Sequence, residues 1–266
     1  MKFTQQNYES FIDLQDKLHH NICRKRTLVA IGTHDLDTLK PSFRYDARRP
    51  TDLRFRPLNQ TKEVNGVELM ELYSKDSHLK AFLPIIKDKE FYPIIFDSND
   101  VVLSLPPIIN GDHSKITLNT KNVFIECTAT DLRKAEIVLD TMVTMFSEYC
   151  ENKFEVEAVE VTQLDGTKHI YPRLSERFEL VSPSEINRKI GIEISGERMK
   201  TLLNKMGLTS ELISQDQIKV RIPPTRSDIL HVCDIIEDVA IGYGYNNIAK
   251  TIPKTNCFST EVHIFR

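Results

Sequence analysis

Four acidic residues in the C-terminal third of the chain have a spacing that could support chemistry. They are Asp228, Asp234, Glu237 and Asp238. Residues three or four positions apart lie on one face of a helix, so the last three would project from a shared surface. Oxygen donors with no Cys or His among them suit Mg²⁺. The alternative, which spacing alone favours, is that acids near a helix start interact favourably with the helix dipole.

A further acid, Glu126, lies within the apolar segment 123–130, VFIECTAT, which is predicted to be a strand. Side chains alternate between the two faces of a strand, so the odd-numbered apolar residues could be buried while Glu126 faces solvent. Alternatively, Glu126 faces a binding pocket, and the pattern alone does not decide between the two. Thr128 and Thr130 follow on the same face as Glu126, at a period of two.

Composition bounds the class of protein. The chain has 266 residues, 40% hydrophobic and 27% charged, which is typical of a soluble globular protein of one or two domains. Its net charge of −3 argues against a non-specific coat for nucleic acid. Five scattered cysteines without a CxxC pair favour a reducing, cytoplasmic location over a disulfide framework or zinc ribbon. No apolar run approaches the roughly 18 residues that span a membrane, and we expect a fragment of a longer protein.

The apolar pattern predicts two domains of the α+β class. Residues 1–172 combine helical periodicity with several strands, including a hairpin around Asn99-Asp100, and predict a mostly antiparallel sheet with packed helices. Residues 173–181 are predicted to be a linker. Residues 182–255 show helix, helix, strand and helix, a length and order typical of a small winged-helix-like domain. Residues 256–266 are expected to be a tail.

Four segments carry a resemblance to a known family. They are NICRKRTLVAIGTHDLDTL (21–39), YPIIFDSNDVVLSLPPIINGDHSKIT (92–117), NVFIECTATD (122–131) and IPPTRSDILHVCDIIEDVAIGYGYNNI (222–248). Together they resemble the β subunit of phenylalanine–tRNA ligase in its eukaryotic and archaeal form. The resemblance implies that residues 1–172 are an editing module, which in the family hydrolyses tyrosine wrongly attached to the tRNA for phenylalanine. It also implies a cytoplasmic α2β2 enzyme that uses ATP, with an α subunit and tRNA as partners.

The resemblance also suggests residues for an editing site. Glu126 would recognise the tyrosine phenol, because the family has an acid at the matching place. Thr128 would position the attacking water or bind the ester, and Ser104 matches another pocket position. Four further residues would bind the substrate: Ile95, Asn110, Thr130 and His113. Each has an ordinary alternative, because Ser and Thr are common in strands, Ile95 suits any core, and a lone loop histidine is usually exposed.

The resemblance changes the interpretation of the acidic residues at the C-terminal side. In the family's β subunits, acids at the same steps are assigned to a magnesium site shared with the α subunit. This implies Asp228, Asp234, Glu237 and Asp238 as ligands. Asp238 replaces a Glu of the family, and its shorter side chain places the carboxylate nearer the backbone.

The sequence offers no nucleophile for the hydrolysis. There is no GxSxG segment, and Cys127 lies in an apolar strand, where a thiol is usually inert. We therefore expect water to attack the ester, with positioning as the main source of catalysis. The alternative function is a non-catalytic scaffold that binds tRNA or the α subunit. Duplex DNA is not an expected partner, because the candidate recognition helix, residues 232–243, is acidic and would repel phosphate.

Overall fold

The structure is a computed structural model that describes residues 2–252. It divides into two compact units, Met1–Leu174 and Ser175–Arg266. All strand pairs in the described part of the chain are antiparallel, and helices pack on the sheets, so the α+β class is confirmed. Among these residues, no helix combines the length and the apolar character that crossing a membrane requires.

The first unit contains the predicted editing segments. Its helices are α1 (Gln5–His20), α2 (Gly66–Tyr73) and α3 (Leu132–Phe146). Its strands are β1 (Val29–Asp35), β2 (Arg44–Arg48), β3 (Arg54–Phe55), β4 (Val64–Asn65), β5 (Tyr92–Phe96), β6 (Val102–Leu105), β7 (Ile109–Asn110), β8 (Val123–Ala129), β9 (Val159–Thr162) and β10 (Lys168–Tyr171). One sheet has the order β2-β5-β6-β7, and a separate pair joins β1 to β8.

Helices α1 and α3 cover one face of the β1–β8 pair. Thr4 caps α1 by accepting a hydrogen bond from the Asn7 amide, and Asp131 caps α3 by accepting one from the Lys134 amide. The helices and the odd-numbered residues of the two strands form two apolar clusters. The main buried members are Phe11, Val29, Ile31, Val138, Met142 and Phe146. The opposite face of β1–β8, with the even-numbered residues, therefore remains for the functional site.

The β5–β6 hairpin is confirmed, and its turn and a β-bulge-like irregularity between Ile95 and Phe96 set the strand register. Asp97 Oδ1 accepts hydrogen bonds from the amides of Asn99 and Val101, both at 2.9 Å. Asp100 takes a positive φ of 58°, which Asp tolerates better than most residues. The resulting register places Ile95 of β5 opposite Ser104 of β6.

The second unit is a three-stranded sheet with three helices. Its elements are β11 (Arg177–Val181), α4 (Pro183–Ile190), α5 (Gly196–Lys205), β12 (Thr209–Ser214), β13 (Gln217–Ile222) and α6 (Val232–Tyr243). The prediction of a linker over residues 173–181 is wrong for residues 177–181, because they form β11. This strand pairs with β13 and buries Val181 in the core of the unit. The predicted tail, residues 256–266, lies outside the described residues.

Candidate functional site

Glu126 lies on the face of β8 that α1 and α3 leave uncovered. It is directly opposite Gly32 of β1, and its carboxylate lies across the glycine, where a Cβ atom would overlap with Oε1. Only 9% of the Glu126 side chain is exposed. The interpretation that Glu126 faces solvent is therefore wrong, because its carboxylate lies against Gly32 and Ser104. A buried carboxylate of this kind requires polar partners.

Three of the suggested residues lie side by side across the larger sheet. Ile95 on β5 is opposite Ser104 on β6, and Ser104 is opposite Asn110 on β7. Ser104 is 1% exposed, and its Oγ donates a hydrogen bond of 2.9 Å to Glu126 Oε1. Asn110 Nδ2 donates to the Thr33 carbonyl of β1 at 3.2 Å. These two bonds join the β2-β5-β6-β7 sheet to the β1–β8 pair at the site.

His34 completes the polar part of the site. Its side chain is fully buried on the same face of β1 as Gly32. His34 Nδ1 lies 2.9 Å from the Oγ of Ser114, and Nε2 lies 4.0 Å from Glu126 Oε1. Among the described residues, His34 Nε2 and Glu126 Oε2 have no hydrogen-bond partner. Unsatisfied buried atoms are rare in proteins, and two neighbouring side chains each carry one here.

An apolar wall adjoins these polar groups. Leu39, Ile95 and Leu103 are buried together, with Phe43 and Phe124 packed against them. The Phe43 and Phe124 rings are stacked with centroids 4.3 Å apart, and the Phe124 ring centroid lies 6.3 Å from that of His34. Because the wall includes aromatic rings, the site suits an aromatic ligand that carries a polar group.

His113 lies in a short 3-10 helix, Asp112–Ser114, at the edge of this region. Its ring contacts the backbone near Gly111, where an added Cβ would lie 3.1 Å from Nδ1. Partial burial lowers the pKa of His113, and the neighbouring His34 lowers it further. A general base must be unprotonated, and a neutral imidazole can accept a proton.

The two suggested threonines, Thr128 and Thr130, differ in their placement. Thr128 is partly buried on the same face as Glu126, opposite Ala30. Thr130 lies beyond the end of β8, is exposed, and directs its hydroxyl to the Leu28 carbonyl at 3.5 Å. At about 3.3 Å per residue, Thr130 lies about 13 Å along the chain from Glu126. The structure therefore does not bring Thr130 into the cluster.

Cys127 points to the opposite face of β8 and is not positioned as a nucleophile. It packs in the apolar cluster with Cys23, Val29 and Val138. Burial, and then the nearby charge of Glu126, raise the pKa of Cys127 well above its ordinary value. The thiol is therefore protonated at neutral pH, and a protonated thiol is a poor nucleophile.

Sequence reasoning did not single out Gly32, His34 or Ser114. A signal for Gly32 exists, because an isolated glycine within a strand often marks a close approach of another group. His34 follows two residues later and so shares the face of Gly32. No local signal connects Ser114 to His34, since they are 80 residues apart.

Three of the four suggested acids in the second unit have partners within the protein. Arg226 forms ion pairs with Asp228 at 2.8 Å and with Asp238 at 2.9 Å. Asp234 Oδ2 accepts hydrogen bonds from the amides of Leu230 and His231, at 2.7 and 2.8 Å, and so caps α6. Glu237 lines a surface groove away from these contacts.

These contacts do not form a cation site. The Arg226 guanidinium occupies the space between two of the suggested ligands, and Asp234 is directed to the backbone. Within residues 2–252, no group of three or more His, Cys, Asp or Glu side chains is placed to hold a metal ion. The donors suit Mg²⁺ in their chemistry, but in this arrangement they do not fit it.

Comparisons with known proteins agree with this architecture. Residues 1–160 match the model of the B3/4 domain, and residues 180–245 match that of the tRNA synthetase B5 domain. A solved N-terminal fragment of the phenylalanyl-tRNA synthetase beta-subunit from Pyrococcus horikoshii is similar, with a TM-score of 0.84 and 35% identity. The similarity covers 92% of this chain and 68% of that one.

Curated relatives extend the comparison. The phenylalanine–tRNA ligase beta subunit of Homo sapiens is 60% identical over 98% of this chain, and that of Saccharomyces cerevisiae is 47% identical over 94%. The cytoplasmic subunit of Arabidopsis thaliana is 57% identical over 94%. The chain spans 44% of the length of the human relative. This chain belongs to the family of phenylalanine–tRNA ligase β subunits.

Proposed function

We propose that the first unit hydrolyses tyrosine from wrongly charged tRNA for phenylalanine. The observation that carries this proposal is the buried carboxylate of Glu126, which has one oxygen bound by Ser104 and the other without a partner among the described residues. A carboxylate oxygen can accept the hydrogen bond of a phenol. The adjoining wall of Phe43, Phe124 and Ile95 would contact the aromatic ring.

A separate site of this kind has a physical reason. Tyrosine differs from phenylalanine by one hydroxyl, and a hydrophobic pocket rejects such an analogue poorly. A hydrolytic site that hydrogen-bonds the hydroxyl would bind tyrosine and reject phenylalanine. Phenylalanine would leave Glu126 buried without a partner, and an unsatisfied buried group is costly.

The proposed chemistry is attack of water on the ester that links tyrosine to the tRNA. Thr128, on the same face as Glu126, would position the water or the ester, and His113 is the candidate base. The adjacent ribose hydroxyl of the tRNA would assist. Because no activated nucleophile among residues 2–252 faces the cluster, catalysis would rest on positioning.

The assembled enzyme is a proposal that rests on the relatives. It comprises an α2β2 assembly in the cytoplasm that uses ATP to attach phenylalanine to its tRNA, with the α subunit as partner. Mg²⁺ would bind to the acids of this chain only if Arg226 released Asp228 and Asp238 and the α subunit added further donors. For the chain alone, we expect neither synthesis nor a magnesium site.

The test is hydrolysis of tyrosine-charged tRNA by the purified chain. We expect release above the rate in buffer, loss of release in Glu126→Ala, and no change in the control Glu148→Ala, which replaces an exposed acid. Circular dichroism would verify that each variant is folded. Absence of release by the folded chain, or release that survives Glu126→Ala, would favour the alternative of a tRNA- or subunit-binding scaffold.

A further inference from the structure

Two buried side chains that each carry an atom without a partner lie close together in the first unit. His34 is fully buried, and the Glu126 side chain is more than nine-tenths buried. His34 Nε2 and Glu126 Oε2 lack hydrogen-bond partners among the described residues. The 4.0 Å between Nε2 and Oε1 is too long for a direct bond. It is short enough for one oxygen atom to lie within about 2.8 Å of both side chains.

The neighbours of His34 determine which of its two ring nitrogens carries the proton. Nδ1 is in contact with the Ser114 hydroxyl, which can donate or accept a hydrogen bond. Nε2 faces the carboxylate, and a proton on Nε2 interacts favourably with that negative charge. The tautomer with Nε2–H therefore has the lower energy, and Ser114 then donates to Nδ1.

A second buried histidine shows what a purely structural role looks like, whereas Nε2 of His34, like Nε2 of the neighbouring His113, has no hydrogen-bond partner among the described residues. His19 is 2% exposed, and its Nε2 accepts a hydrogen bond of 2.9 Å from the Ile31 amide. That histidine is fully explained by a structural role, because its inward nitrogen binds the backbone. His34 has the same degree of burial, yet its inward nitrogen has no such partner.

We propose that His34 Nε2–H and the Glu126 carboxylate together bind the phenolic hydroxyl of tyrosine, so that His34 is a specificity-determining residue. This inference rests on the proposed function and extends it to a second recognition group. The phenol would donate to Glu126 and accept from His34, which uses both of its hydrogen-bonding capacities. A side chain without the hydroxyl would leave two buried polar groups unsatisfied.

The surroundings select this class of ligand over others. The negative charge of Glu126 disfavours a phosphate or a carboxylate at this position. The stacked rings of Phe43 and Phe124 adjoin His34 and provide a surface for an aromatic ring. A neutral hydroxyl on an aromatic ring satisfies both conditions.

The experiment measures binding without requiring hydrolysis. Amide-linked tyrosyl-adenosine and amide-linked phenylalanyl-adenosine, which cannot be hydrolysed as esters, are titrated into the whole chain by calorimetry. The proteins are the unchanged chain, His34→Leu, His34→Gln and the control His78→Gln, which replaces an exposed histidine. We expect the unchanged chain and the control to prefer the tyrosyl compound.

His34→Leu should reduce this preference about tenfold, because one hydrogen bond to the phenol is lost. The affinity for the phenylalanyl compound should stay the same or rise. His34→Gln keeps an N–H donor and should lie between the two. A preference that His34→Leu leaves intact would overturn the inference, as would an equal loss for both compounds or no preference in the unchanged chain.

A second measurement does not depend on the stability of any variant at position 34. In the unchanged chain labelled with ¹⁵N-histidine, the Nε2 resonance of His34 should shift with the tyrosyl compound and not with the phenylalanyl compound. Equal shifts with both would contradict phenol binding. Hydrolysis of tyrosine-charged tRNA is assayed in parallel, because a retained preference without hydrolysis would remove only the proposed hydrolytic function.

Discussion

The two units hold their acidic residues in different ways. In the first unit, Glu126 has one oxygen bound by Ser104 and one without a partner, and it faces a histidine nitrogen that also lacks one. In the second unit, Asp228 and Asp238 are paired with Arg226, and backbone amides bind Asp234. The first arrangement leaves a carboxylate without an arginine or lysine partner among the described residues, whereas the second pairs two carboxylates with an arginine, and Oδ2 of Asp238 contacts that arginine as an ion pair without a hydrogen bond.

The difference shows that the number of acids in a segment is a poor guide to binding. Four acids within eleven positions suggest a cation site, but an arginine at position 226 supplies the positive charge instead. The single acid at position 126 retains a free acceptor because its neighbours satisfy only part of it. Partner contacts, which the spacing does not give, decide which carboxylates are available.

The largest expected effect contrasts the two carboxylates directly. Glu126→Gln should lower hydrolysis of tyrosine-charged tRNA by about 100-fold or more, because the negative charge is lost and an NH₂ donor replaces one of the two acceptor oxygens. Asp238→Asn should leave that rate unchanged and lower the stability of the second unit by about 1–2 kcal/mol. Single-turnover hydrolysis and segment-resolved hydrogen exchange provide the two readouts. If the two variants exchanged these phenotypes, the comparison would be wrong.

Arg226→Met should destabilise the second unit by about 3 kcal/mol, because the buried carboxylate of Asp238 would lose its counter-charge. Chemical denaturation followed by hydrogen exchange would measure this loss. The matched control is Arg188→Met, which removes an exposed arginine from a surface pair with Glu185 and should change stability by less than about 0.5 kcal/mol. Equal effects of the two variants would show that Arg226 is only a surface charge.

Gly32→Ala should destabilise the first unit by about 1–3 kcal/mol, because the added methyl overlaps with the Glu126 carboxylate. Hydrolysis should fall as well, since Glu126 must move. The same substitution in a Glu126→Ala background should cost less, because the overlapping side chain is gone. A double-mutant cycle of unfolding free energies measures this coupling, and a coupling of zero would exclude the close approach.

Acidification should destabilise the first unit at a higher pH than the second unit. Burial, and then the charge of Arg26, lower the pKa of His19 from 6.5 to about 3, and its Nε2 must stay unprotonated to accept from Ile31. As the pH falls, His19 is protonated in the unfolded chain before it is protonated in the folded chain. The stabilisation that neutral His19 provides above pH 6.5 therefore declines as the pH falls towards 3. The slope has an upper limit of about 1.4 kcal/mol per pH unit.

In the second unit, the hydrogen bonds from Arg226 lower the pKa of Asp228 below 3.8, so its contribution persists down to that range. The first unit should therefore lose hydrogen-exchange protection between pH 6 and 4, before the second. His19→Gln should flatten this dependence. If the second unit opened first, the assignment of the acid-sensitive group would be wrong.

The smallest expected effect is that of Mg²⁺. Arg226 is paired with Asp228 and Asp238, so millimolar Mg²⁺ should leave the midpoint of thermal unfolding of the chain unchanged. A Na⁺ solution of equal ionic strength is the control. A specific increase with Mg²⁺ would show that the arginine yields to the cation without the α subunit.

Features with local causes could be predicted from the sequence. The Asn99-Asp100 hairpin and the Asp131 cap follow from the chemistry of a few adjacent residues. Ser104 and Glu126 were suggested individually by the resemblance. Their hydrogen bond joins strands of different sheets, and no periodicity in the sequence reports such a contact.

Other features could not be predicted because their partners are distant or of another type. Residues 177–181 were assigned to a linker, since their pairing strand β13 is some forty residues further along the chain. Arg226 could not be predicted as the partner of these acids, because their spacing indicates either cation ligands or contacts with the helix dipole and does not report an arginine between them. His34 becomes noticeable only when β8 places Glu126 beside it.

The length of the Asn99-Asp100 turn has a consequence for specificity. Side chains alternate along β6, so a shift of one residue would turn Ser104 away from Glu126 and present Leu103 or Leu105 instead. A one-residue insertion in an exposed loop that contacts no substrate would thereby replace a hydroxyl donor with a hydrocarbon. The number of residues in this loop, together with the irregularity between Ile95 and Phe96, therefore sets which chemical group reaches the carboxylate.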